Sequence, residues 1–199
     1  MSVLRIAGMI GALREKLARF SRDKRGVSAV EFAVILPFMA ALYLGGTAIT
    51  QAIIVKRKVV LVTHTVGDLV ARDNQISNTE VTAIFDAAKA VFAPYSWSGA
   101  LLKIKVSSVN INAAGTATVG WGEAFQDTAR VANSGVTLPA GLNTPSTSII
   151  WAEVSYNFTP PVGGAFTGGT MTLTDQLYIR PRLVSCIKRD KSGVLSGCP

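Results

Sequence analysis

Charge, aromatic rings and metal-binding side chains are all scarce in this chain. Charged residues make up 16 % and aromatic residues 8 % of 199 residues, with one histidine and two cysteines. No G-x-S-x-G, H-E-x-x-H, C-x-x-C or Walker A lysine occurs, so the common arrangements for a serine hydrolase, a zinc protease, a redox pair or a nucleotide pocket are missing. His64 has no second ligand with which to share a metal and reads as a surface residue. Gly163, Gly164, Gly168 and Gly169 lack the spacing of a phosphate-binding loop. Glu123 and Asp127 are acids of the kind a glycosidase uses, although such pairs are more often solvated surface charges. Neither an enzyme nor a cofactor or metal is expected.

Apolar residues, by contrast, are abundant. At 49 % hydrophobic, the chain is too apolar for disorder and has enough for one domain core plus an anchor. A net charge of +8 would suggest nucleic acid if it lay across a folded face. Its placement is different. Residues 1–26 hold seven Lys or Arg against Glu15 and Asp23, and Lys56, Arg57 and Lys58 directly follow the most hydrophobic stretch. No basic groove with interleaved aromatics remains, so nucleic acid is not an expected partner. Cys186 and Cys198 have eleven residues between them, too few for a zinc site and well suited to one disulfide in an oxidising compartment. Such a loop contributes about 2 to 3 kcal/mol by the chain-entropy argument. The alternative is two free thiols in a reducing compartment.

From Val27 to Val55 the chain reads VSAVEFAVILPFMAALYLGGTAITQAIIV, 29 residues with one charge, Glu31. A helix of that length reaches about 43 Å against a hydrocarbon slab of about 30 Å, so it spans a membrane with tilt or emerges into the headgroups. A cleaved secretory signal fits less well, because its apolar region is usually about 7 to 15 residues. Seven basic residues before the span, against Lys56, Arg57, Lys58 and Arg72 after it, orient the N-terminus to the cytoplasm. The C-terminal domain then lies in the periplasm, where a Cys186 to Cys198 bridge can form. Leu13, Leu17 and Phe20, surrounded by Arg14, Lys16 and Arg19, make either a basic amphipathic helix on the inner leaflet or a disordered basic tail.

Beyond Val55, the residues Val59, Val62, Val66 and Leu69 keep helical spacing and extend the helix to about Arg72. Ser77-Asn78-Thr79-Glu80 has capping-box spacing and opens a second helix through Ala93, stopped by Pro94, with Val81, Ile84, Phe85, Ala88 and Phe92 on one face. Strand alternation follows in Leu102 to Val106, where the phase slips before Val109 and Ile111 and suggests a bulge near Ser107 and Ser108. Ala117 to Trp121, then a polar loop from about Ala132 to Ser148, then Ile150 to Phe158 and Met171 to Ile179 complete four strands. The fold expected is α+β, with a long N-terminal membrane-spanning helix packed on a small antiparallel sheet. Its segments are a leader over 1–26, a span over 27–55, a periplasmic continuation of the helix over 56–73 and a periplasmic domain over 74–199.

Arg25-Gly26-Val27-Ser28-Ala29-Val30-Glu31-Phe32 sits where basic leader meets apolar helix, and continues as Ala33-Val34-Ile35-Leu36-Pro37-Phe38. This segment resembles the processing site of type IV pilin-like proteins. In this form it is similar to the TadE family of pseudopilins from Flp, or tight-adherence, pilus systems. The stretch from Asp68-Leu69-Val70 through the second helix to Val109, and later Val154 to Pro160 and Arg180-Pro181-Arg182, look similar more weakly. No insertion like the von Willebrand A domain of TadG-type proteins is present, and TadF-like relatives are not separated by these residues.

The resemblance implies a pilin-like architecture and a prepilin peptidase that cuts after Gly26, leaving Val27 as the new N-terminus. Glycine suits a tight protease cleft because it has no side chain to clash there. Glu31 costs about 2.5 to 3.5 kcal/mol at the centre of a membrane helix. The resemblance implies that its carboxylate meets the freed Val27 amine of a neighbouring subunit, a pairing that favours correct register. The plainer alternative is that Glu31 snorkels to the headgroups. Pro37 removes one helical hydrogen bond and should bend or locally melt the helix. Ala41, Gly45 and Ile49, with Gly46 and Ala48 beside them, form a small-residue patch for close helix packing.

The implied role is a minor structural subunit supporting pilus assembly, surface adhesion and biofilm formation. Its implied partners are the inner membrane, the prepilin peptidase, other pilins and pseudopilins, and the pilus assembly platform proteins. Two rival classes are a membrane-anchored periplasmic binding or sensing domain, which would keep residues 1–26, and a membrane-tethered hydrolase.

Overall fold

The computed structural model describes residues 26–162 and 168–198. The basic leader through Arg25, with its Leu13, Leu17 and Phe20 stripe, lies outside the described residues, as do Gly163 and Gly164.

Helix α1 (Val27–Ala71) runs for 45 residues without a break. It ends one residue short of the expected Arg72, which serves as its C-cap. The two ends of this helix have different chemistry. Toward the N-terminus apolar residues occupy every face, so no single stripe can be directed at a core, and every residue from Val27 to Ala40 is exposed. From Val55 onward apolar residues recur on one side, and Val55, Val59, Val62, Val66 and Val70 are all at most 1 % exposed. His64 lies off that seam and is exposed.

The buried seam packs on a four-stranded antiparallel sheet ordered β3-β2-β4-β5, formed by β2 (Leu102–Ile111), β3 (Ala117–Phe125), β4 (Thr147–Phe158) and β5 (Met171–Ile179). Helix α1 lies over β4 and β5. Gly67 permits this approach, since a Cβ there would stand 2.9 Å from Leu177 Cδ2. Helix α2 (Asn78–Phe92) packs beside α1 and begins with the expected capping box: Ser77 Oγ accepts from the Glu80 N–H at 3.3 Å, and Glu80 Oε2 accepts from the Ser77 N–H at 2.6 Å. Ile84, Phe85, Ala88 and Phe92 are buried, and Val81 packs against the same core.

The phase slip in β2 has a different cause from the one expected. Pairing of β2 with β4 is uninterrupted from Leu102↔Tyr156 to Ile111↔Thr147, so β2 carries no bulge on that side. The extra residue is Gly120 on β3, because Ser108 opposes Trp121 while Val109 opposes Val119. The apolar residues change phase because the sheet has two cores. Leu102, Ile104 and Val106 face the helices, whereas Val109 and Ile111 join Ala117, Ile149 and Trp151 on the opposite face. The loop expected to be polar covers that second core with Val136, Leu138 and Leu142.

A second, three-stranded sheet leaves no pattern in the sequence. It joins β1 (Gln75–Ile76), β6 (Lys188–Lys191) and β7 (Val194–Ser196) in the order β1-β6-β7, with β1 and β6 parallel. Strands of two to four residues are too short to show alternation.

Candidate membrane anchor and processing site

Gly26 caps α1 with φ −79° and ψ −17° and makes no side-chain cap bond. A Cβ added there would meet nothing within 4 Å. Neither backbone angle nor packing within this fold requires glycine at that position. Val27, Glu31 and Phe32 are exposed on the first turns of α1, Phe32 by 65 %. Glu31 lies four residues beyond Val27, about 6 Å along the axis, and among the described residues it has no ion-pair partner.

The α-helix is continuous through Pro37, so the chain is not melted there; the missing proline N–H leaves the Ala33 carbonyl without its helical donor. Ala41 and Gly45 are half-buried and Gly46 is exposed. A side chain at Gly45 or Gly46 would touch nothing within 4 Å, so the patch is open at its glycines, while Ala48 beside them is fully buried. Two hydroxyls in this region are satisfied by the helix itself, Thr47 Oγ1 donating to the Leu44 carbonyl at 2.8 Å and Thr50 Oγ1 to the Gly46 carbonyl at 2.9 Å. Back-bonding of this kind removes bare polar groups from an apolar surface. The N-terminal portion of α1 is long and apolar enough to cross a membrane, and none of its most apolar window is buried by the rest of the chain.

Two members of the basic triplet after Val55 have partners in the folded domain. Lys56 donates to the Thr174 carbonyl and to Asp175 Oδ1, the latter at 3.1 Å. Lys58 Nζ donates to the Val91 carbonyl at 3.1 Å, meeting the partial negative charge at the C-terminal end of α2. At the other end of α1, Asp68 accepts from Arg72 and from Arg182, each at 2.5 Å. These contacts clamp the helix to the domain at both ends of the buried seam. The signal for Lys56 and Lys58 was present as a charge run, but a run does not reveal which members turn inward.

Cys186 and Cys198 are joined in a disulfide with Cα atoms 5.9 Å apart. The loop they close lies against β3 and β2: Trp121 Nε1 on β3 donates to the Ile187 carbonyl at 2.7 Å, and Asn110 Nδ2 on β2 to the Gly197 carbonyl at 2.6 Å. Glu123 and Asp127 are not free surface acids. Glu123 pairs with Arg189 at 2.9 Å and Lys191 at 3.1 Å, and Asp127 pairs with Lys105 at 3.3 Å. Burial pushes the Asp127 carboxyl up, but the Thr128 N–H at 2.8 Å and the charges of Lys105 and Lys103 outweigh it and hold the group below its ordinary value. Among the described residues, no group of three or more His, Cys, Asp or Glu side chains could hold a metal.

These features define an α+β domain carried on one long helix whose N-terminal part is apolar and uncovered. Compared with protein-family models, with curated proteins and with solved structures, the chain matches none.

Proposed function

We propose that this chain is a pilin-like structural subunit of the TadE type, anchored in a bacterial inner membrane, processed by a prepilin peptidase and used in assembling a Flp-type pilus. The observation that carries this reading is the division of α1. One rigid helix is bare and apolar from Val27 to Ala40 and becomes the buried spine of a folded domain from Val55. Such a helix holds a subunit in lipid before assembly and offers the same surface to neighbouring subunits afterwards. On this reading the peptidase cuts after Gly26, a glycine that serves the protease cleft since the fold makes no demand for it. The freed Val27 amine pairs with Glu31 of a neighbour, offsetting the cost of an isolated carboxylate in lipid. The protein does no chemistry of its own. It acts by assembly with other pilins and pseudopilins on the pilus assembly platform, in support of adhesion and biofilm formation.

Replacing Glu31 by Ala tests the assembly step. Cleavage is expected to persist while incorporation into sheared filaments is lost. Piliation equal to the unmodified protein removes Glu31 from the mechanism.

A further inference from the structure

Two contacts fix how β5 lies along α1. At one, Lys56 meets Thr174 and Asp175; at the other, the Arg182 N–H donates to the Ala71 carbonyl at 2.9 Å. Between them the helix rises about 22 Å while the chain climbs through the rest of β5 and bends at Arg182, so helix and strand run in the same direction. The Gly67 position lies against Leu177 and Ile179, and followed back from there β5 descends about 21 Å to Met171, a distance that takes about fourteen residues of helix, to the level of Ala52 and Ile53. The β4–β5 hairpin thus forms an arm that reaches down α1 past Val55. Ala48, 0 % exposed, is the first buried residue of the helix. The 21 residues from Val27 to Thr47 that precede it measure about 31 Å, close to the hydrocarbon thickness of about 30 Å.

The chemistry of the arm suits a place with little water. The sequence contains no charged residue from Val154 to Thr174, while Glu153 and Asp175 bound that stretch. Polar side chains on the arm satisfy each other across the hairpin: Thr172 Oγ1 donates to Asn157 Oδ1 at 2.9 Å, and the Thr159 and Thr170 hydroxyls share a bond of 2.7 Å. Phe158 and Met171 pack inward on the core. At the described end of the arm Pro161 and Val162 face outward, Val162 by 45 %. An exposed apolar end without charges, beside an uncovered apolar helix, is costly in water and favourable at a lipid boundary.

We propose that the β4–β5 arm is a membrane-interface contact, with Pro161 and Val162 entering the boundary between headgroups and acyl chains. The domain then rests on the bilayer at a second point besides α1, which fixes its tilt and its rotation about the helix. The boundary region is the site, and not the hydrocarbon centre, because the outer edge of β5 keeps backbone groups that need water or headgroup partners. This inference rests on α1 being a membrane span.

The test places a single fluorescent label on the full-length chain, disulfide intact, at Val162→Cys or at Ala114→Cys. Ala114 is exposed in the β2–β3 turn at the opposite end of the same sheet. Each protein is reconstituted in phosphatidylcholine vesicles and recovered by flotation. The label at 162 is expected to be quenched by lipids brominated on the upper acyl chain and shielded from aqueous iodide, with the reverse at 114. If the protein floats but 162 responds to iodide as 114 does, the arm is not at the interface, and the span stands. Shielding from both quenchers that grows with protein-to-lipid ratio assigns the arm to a second subunit and overturns the proposal. Failure to float overturns the span and the arm together.

Discussion

Arg189 donates from Nε to Glu123 Oε1 at 2.9 Å while its side chain is 3 % exposed, so the mini-sheet is fastened to the main sheet by a buried ion pair. The rest of the guanidinium is also used, Nη1 donating to the Ile76 carbonyl at 3.0 Å and Nη2 to Asn78 Oδ1 at 2.6 Å. This one side chain therefore joins β6, β3, β1 and the start of α2. Removing one partner of a buried pair costs about 3 to 5 kcal/mol. Lys191 remains on Glu123 after the change, so Arg189→Met is expected at the low end, about 3 kcal/mol. Urea unfolding of the detergent-solubilised chain measures it, and a loss well under 1 kcal/mol would show the pair to be incidental.

At Gly197 the C-terminal loop meets β3 through its backbone. A Cβ on Gly120 would collide with the Gly197 carbonyl oxygen, and one on Gly197, at φ +99°, with Trp121 Cδ1. Ala at either position should lift the loop, with a loss of about 1 to 3 kcal/mol. The fraction of Cys186 and Cys198 that reacts with maleimide after unfolding should rise. Unchanged stability and unchanged thiol content in Gly197→Ala would contradict this packing.

Two carboxylates give opposite pH signatures. Asp127 is held below its ordinary value, so its contribution is present above the unfolded value and is lost as pH falls through the folded one. Asp127→Asn is expected to lower thermal stability at neutral pH, with the deficit vanishing in acid. Asp73 is pushed up, by burial first and then by the charge of Glu80. Its charged form penalises the fold above the folded value, so Asp73→Asn should raise stability at neutral pH and converge with the parent in acid. Thermal unfolding across pH 2 to 7 distinguishes the two, and matching signs for both variants would refute the assignment.

The helices were legible because their signals are local: a seam of Val59, Val62 and Val66, and a capping box within four residues. The outer limits of β5 were legible for the same reason, since one alternating face and two loops bound it. The second core was not. Val109 and Ile111 look like a slipped register from inside β2, and only the loop carrying Val136, Leu138 and Leu142 explains why the other face is apolar there. Arg189 was illegible because its partners Glu123, Ile76 and Asn78 are distant in sequence and a surface arginine reads the same way. At Gly26 the residue pattern suggests a cleavage site, and the fold adds that no neighbour demands glycine there.

The central claim is cleavage at one bond followed by assembly through the helix it exposes. Replacing Gly26 with a bulky residue should leave a heavier, uncut species in the membrane while α1 folds normally. The most direct measurement is the N-terminal residue of the mature protein extracted from membranes of cells that make pili. The account predicts Val27. An intact leader beginning at Met1 in such cells would contradict it.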